Sequence, residues 1–319
     1  FVHLIINLSV GDLFMKKSYE KGFFAALACA GLWGILPIYW KSLIPIPSST
    51  IIIYRILMIA VVCVIAARFK YSWNRIFSPL KDWRTALKFF VAGLIVTSNW
   101  SIYIWAVNSG HIIQTSIGYY IEPLVVCIFG AIFFKEKLTV YKSTAVILAA
   151  ASVIVILVHY GQVPGIALIL ATTFAIYSAI KKTVDQPPVI SLLYETIFMA
   201  PIMLCVIVWL ELHGAGALGV GESYQYFLLL LCGLATAIPL GLFAYAAQRT
   251  SMFVLGLTEY LSPTLAFMLG IFLYKEPVDK VLIMAFGLIW IGLIFFSYGE
   301  FKSGKDSKSS EDSQNVKAS

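Results

Sequence analysis

Four ionisable side chains, Arg55, Glu122, Glu195 and Glu259, fall inside long apolar runs. A charge at membrane depth is costly, so each is a functional candidate by default. An arginine stays charged under all relevant conditions and needs either a carboxylate partner or an anionic group on a bound solute. A glutamate can shed its charge by taking up a proton, so Glu122 and Glu259 are candidates for coupling proton movement to a change of access. The structural alternative is that Arg55 only neutralises a buried glutamate such as Glu195. Around the carboxylates lie Tyr119, Tyr120 and Tyr260, with Trp33, Tyr39, Trp100 and Tyr103 nearby. Such rings can line a pocket for a planar or cationic solute, or can simply fill the core. Asn99 is a polar group that could face a solute or bond a neighbouring helix.

Pro123 and Pro263 each lack the N–H that would bond the carbonyl four residues back, at Tyr119 and Glu259. A freed carbonyl can coordinate solute, and the same prolines, with Pro37, Pro201 and Pro239, can act as helix hinges or plain kinks. No Ser/His or Cys/His pairing, HExxH or phosphate-cradling glycine loop is present, which argues against an enzyme or a bound cofactor. Cys29, Cys63, Cys127, Cys205 and Cys232 have no metal-ligand spacing.

The elements that must carry these residues follow from composition. Of 319 residues, 60% are hydrophobic and 12% charged, too apolar for a soluble domain of this length. Apolar runs long enough to cross a bilayer predict ten transmembrane helices, near 22–40, 48–67, 86–106, 112–134, 143–160, 163–180, 189–210, 224–246, 252–274 and 281–298. Residues 68–88 form a long basic connector, and from Lys302 a Ser/Lys/Asp tail reads as disordered. Residues 1–14 precede a Met15-Lys16-Lys17 that resembles a natural start.

The net charge of +7 is scattered through short connectors rather than gathered on one face, which does not suit a nucleic-acid partner. Placing the N-terminus in the cytoplasm leaves only Lys41, Lys275 and Lys280 outside and Arg55 within a span. The remaining nineteen of the 23 lysines and arginines lie inside, which predicts an N-in, C-in topology. The halves repeat at an offset of 140 residues: Tyr119-Tyr120-Ile121-Glu122-Pro123 falls on Glu259-Tyr260-Leu261-Ser262-Pro263, Lys135-Glu136 on Lys275-Glu276, and Tyr54-Arg55 on Tyr194-Glu195. Five spans per half is an odd number, so the second copy is expected upside down. The predicted fold is an all-α integral membrane protein with two inverted five-helix repeats, residues 22–160 and 161–298, between tails at 1–21 and 299–319. Glu122 and Glu259 map three residues apart in the repeat, hence on the same helix face.

The pattern Gly31-Leu-Trp33-Gly34-Ile-Leu-Pro37, Asn99-Trp100, Trp105-Ala-Val-Asn108-Ser-Gly-His111 and Ser116-Ile-Gly118-Tyr119 resembles the EamA branch of the drug/metabolite transporter superfamily. Tyr194-Glu195-Thr196, Pro239-Leu240, Leu255-Gly256 and Pro263-Thr264 carry the likeness through the second half. The resemblance implies a ten-helix carrier of the bacterial inner membrane, with the lipid bilayer and a small solute as partners and protons as a candidate coupling ion. The family pattern has uncharged side chains at positions 122 and 259, where this chain has glutamates. A membrane scaffold or sensor is the alternative from another class, and an intramembrane enzyme ranks below it.

Overall fold

The computed structural model describes the backbone of residues 2–161, 165–275 and 279–318, with side chains at 2–17, 107–108, 112–113, 301 and 303–318 left out. Glu276 and Asn108 therefore lie outside the described side chains. The described chain is helical throughout: α1 (Val2–Lys41), α2 (Ser48–Lys70), α3 (Trp73–Phe77), α4 (Trp83–Asn108), α5 (Ile112–Phe133), α6 (Val140–Tyr160), α7 (Gly165–Thr183), α8 (Pro188–Ile197), α9 (Ala200–Leu212), α10 (Ser223–Ala247), α11 (Met252–Glu259), α12 (Leu261–Phe272) and α13 (Lys280–Ala318). Among the described residues, nine apolar stretches are long enough to cross a membrane, and the bent pair α8–α9 makes a tenth.

Local chemistry sets the ends. Thr139 caps α6 by accepting from the Lys142 N–H at 3.3 Å, and Gly161 closes that helix in the left-handed conformation, φ 59°. Ser251 caps α11 in the same way, and Glu222 with Gln225 forms a capping box at the start of α10.

Four elements differ from the sequence expectation. The seventh span is two helices meeting at 53°, because Pro201 in the first turn of α9 offers no N–H to extend α8. The ninth is interrupted at Tyr260, between α11 and α12, with Pro263 in the first turn after the break. The basic connector folds into α3 and a short 3-10 turn over Ser78–Lys81. The last helix runs on to Ala318, past the Lys302 where composition predicts a disordered tail.

The packing of the halves is exchange-symmetric at the 140-residue offset. α2 packs on α8 and α9, α5 on α11, and α6 on α13, pairs in which a span meets its own counterpart. The remaining large contacts occur in matched couples: α1 on α10 with α4 on α7, α2 on α10 with α4 on α8, and α5 on α7 with α1 on α12. Side chains repeat the pattern. Tyr194 Oη donates to the Ile76 carbonyl at 2.9 Å, holding the connector after α2, while Tyr54 Oη donates to Glu211 at 2.7 Å. Glu211 in turn accepts from the Ala217 and Leu218 N–H groups of the loop after α9. Lipid supplies no hydrophobic drive between helices, so close approach rests on small residues. A Cβ on Gly93 would collide with the Glu195 carbonyl, and one on its counterpart Gly233 with the Met58 carbonyl. Outward faces carry exposed Ile65, Phe69, Val158, Val208, Phe227 and Ile294, as lipid contact requires.

Candidate functional site

Arg55 sits two turns into α2 and is half-buried. Its guanidinium carbon lies 4.2 Å from the Trp100 ring centre and 5.4 Å from that of Trp40. These contacts to α4 and α1 are cation–π in kind and satisfy charge without accepting its N–H groups. Its Nε is buried without a hydrogen-bond partner. Tyr103 of α4 and Tyr119 of α5 lie within electrostatic reach of Arg55, and their rings meet edge to face at 5.9 Å. Tyr119, two turns into α5, is 47% exposed, unlike its buried neighbour Tyr120.

One turn further along α5, Glu122 neighbours Tyr119 and also lies within electrostatic reach of Glu259 at the end of α11. Glu259 is buried, and neither of its carboxylate oxygens has a hydrogen-bond partner. The two glutamates thus lie within electrostatic reach of each other where α5 packs on α11. Two carboxylates at one site repel each other, and a proton on either relieves that repulsion.

Glu195 belongs to another constellation. Lys181 Nζ contacts Glu195 Oε1 at 2.6 Å and donates to Ser191 Oγ at 2.6 Å. Ser191 Oγ donates to Glu195 Oε1 at 2.6 Å, and Tyr177 Oη donates to Oε2 at 3.1 Å. All four residues are buried. Arg55 and Glu195, equivalent in the repeat, are not ion-paired. Lys181 ends the sixth apolar run beside Lys182 and reads there as a connector charge; only its position against α8 reveals the pair.

Several expected pocket residues are structural. Tyr260 Oη donates to the Tyr120 carbonyl at 2.9 Å, and both rings lie in the core, Tyr120 against Phe286 at 5.3 Å. Asn99 Nδ2 donates to the Leu170 carbonyl and to Thr173 Oγ1, each at 2.8 Å, tying α4 to α7. Trp33 packs on Phe174 and Phe243, and Tyr39 bonds the Leu228 carbonyl. Pro123 lies within an unbroken α5, whereas Pro263 follows the break that leaves Glu259 at a helix end. Trp100 remains at the site, under Arg55.

Glu136, noted in the sequence only as a repeat match, links the two halves. Its carboxylate accepts from the Met252 N–H at 2.8 Å and the Phe253 N–H at 3.2 Å, so a first-half residue caps α11 of the second half. Lys182 adds a contact to the same carboxylate at 3.5 Å and donates to the Thr250 carbonyl. Lys135 and its counterpart Lys275 share a left-handed backbone, φ 50° and 52°. A separate groove at the start of α4 is lined by Trp83, Arg84, Leu87, Lys88, Val91 and Ile180. Among the described residues no cluster of His, Cys, Asp and Glu could hold a metal.

Comparison with known proteins places this architecture. The profile of the EamA-like transporter family matches residues 20–158 and again 164–298, one copy per half. The chain is 36% identical over 295 residues to the uncharacterized transporter YojE of Bacillus subtilis, covering 91% of this chain and 98% of that protein. It is 32% identical to Protein RarD of Streptomyces exfoliatus, covering 92% and 94% of the two chains. One solved crystal structure shares the fold with a TM-score of 0.66 at 19% identity, over 88% of this chain and 96% of the other. Two family matches, transporter relatives matched over nearly their whole length and nine or ten apolar spans among the described residues establish a transporter rather than an enzyme, and the chain belongs to the EamA-like transporter family as a multi-pass protein of the bacterial inner membrane.

Proposed function

We propose that this protein is a secondary carrier that moves a small organic metabolite or drug by alternating access. Residues 22–160 and 161–298 act as two inverted five-helix units, with both termini in the cytoplasm. Exchange-symmetric packing supports this reading, since swapping the conformations of the halves would exchange the open side. The solute site lies between the halves, bordered by Arg55, Trp100, Tyr103, Tyr119 and Glu122. Tyr120, Tyr260 and Asn99 hold the helices around it, and the break at Tyr260 with Pro263 and the bend at Pro201 are the hinges.

The observation that carries the coupling reading is the approach of Glu122 and Glu259 from opposite halves, with the Glu259 carboxylate lacking any hydrogen bond. A proton held by this pair in one state and released in the other would tie its movement to that of the solute. Uptake of a pooled, labelled metabolite library into proteoliposomes tests it, comparing the unmodified protein with a Glu122→Gln/Glu259→Gln double variant. Accumulation that needs both a pH gradient and the carboxylates is the expected result. Equal, gradient-independent movement in both proteins removes the coupling role, and no movement of any solute favours a scaffold or sensor.

A further inference from the structure

Among the described residues Arg55 has no anion to pair with. Among the described residues no carboxylate lies within ion-pair distance, and the neighbours over its guanidinium are the rings of Trp100 and Trp40, which offer no oxygen to its five N–H donors. The repeat explains the gap. Glu195, its counterpart, is satisfied by Lys181, Ser191 and Tyr177. The residues 140 positions earlier are Lys41, Ile51 and Pro37, none of which can supply a negative charge. The first half thus repeats the backbone position of a buried, fully paired charge with the sign reversed and the partner set replaced. An arginine charged at membrane depth and unpaired among the described residues calls for an anion from elsewhere.

We propose that the carried solute bears a single carboxylate, bound by the Arg55 guanidinium, with a flat or apolar body lying along Trp100, Tyr103 and Tyr119. Planar guanidinium matches carboxylate in a two-bond fork. A single guanidinium supplies one positive charge, which matches a monocarboxylate rather than a dianion such as a phosphate ester. The proposal rests on the carrier reading and names its substrate class.

Saturation-transfer NMR on the detergent-purified full chain tests it, using an equimolar mixture of benzoate, 3-phenylpropionate and hexanoate with their primary amides. At least one acid binds, about tenfold or more tighter than its amide, since a charge-assisted bond is at stake. Arg55→Gln brings that acid down to the level of the amide, and Arg55→Lys, which keeps the charge without the fork, falls between. Amides binding as well as acids, no acid binding, or acid affinity unchanged in a folded Arg55→Gln protein would overturn the proposal. Counterflow of the bound acid in proteoliposomes separates the two readings. An acid that binds through Arg55 but is never exchanged contradicts the carrier and leaves the anion site standing, whereas exchange of neutral solutes alone, unaffected by Arg55→Gln, does the reverse.

Discussion

At the scale of single residues, the second half encloses a complete ion pair and the first presents an incomplete one. Lys181 and Glu195 are both fully enclosed, with Ser191 and Tyr177 completing the carboxylate's bonds. Removing one member leaves a buried charge without its partner, at a cost of about 3–5 kcal/mol. Lys181→Met alone should therefore lower the melting temperature of the purified protein sharply, and Lys181→Met/Glu195→Leu should recover much of the loss. If the single variant melts with the unmodified protein, the pair contributes nothing to the fold. The sequence exposes Arg55, Glu122, Glu195 and Glu259 because each interrupts an apolar run. It does not expose Lys181, whose ammonium is turned inward at a helix end where charges normally meet water. Nor does it distinguish the exposed Tyr119 from the buried Tyr120 one position on, because that difference is a rotation about the helix axis.

Among the elements, the matched glycines report how closely the halves approach. Gly93 of α4 meets the backbone of α8, and Gly233 of α10 meets that of α2, each so closely that a methyl group has no room. Gly93→Ala and Gly233→Ala should each destabilise the protein by about 1–3 kcal/mol through overpacking. Gly31→Ala on α1, where nothing lies within 4 Å, should leave the melting temperature unchanged or raise it slightly. Equal behaviour of all three variants would argue against close backbone crossings at these points. Span positions are readable from apolar run length alone, and the interruptions near Pro201 and Pro263 from the chemistry of proline. The glycine couple is not readable in that way, since its meaning depends on which helices touch. Glu136 is a similar case: its partner, the start of α11, lies more than a hundred residues away in sequence and in the other half.

For the molecule as a whole, the 140-residue repeat ties residue chemistry to mechanism. Tyr54 and Tyr194, Gly93 and Gly233, and Lys135 and Lys275 hold equivalent places, each tyrosine and glycine reaching into the opposite half. The halves differ at Arg55 against Glu195 and in the glutamates, which are offset by three residues. On the proposed reading the symmetric contacts form the frame that rocks and the differing residues line the site. The most direct test of alternating access is the labelling of a single reporter, Tyr119→Cys, in a protein whose five native cysteines have been replaced. Membrane-impermeant maleimide is applied to each face of oriented vesicles in turn. Reaction from either face, with the balance shifted by bound solute, is the predicted result. Reaction from one face only, under every condition of solute and pH, would contradict the account.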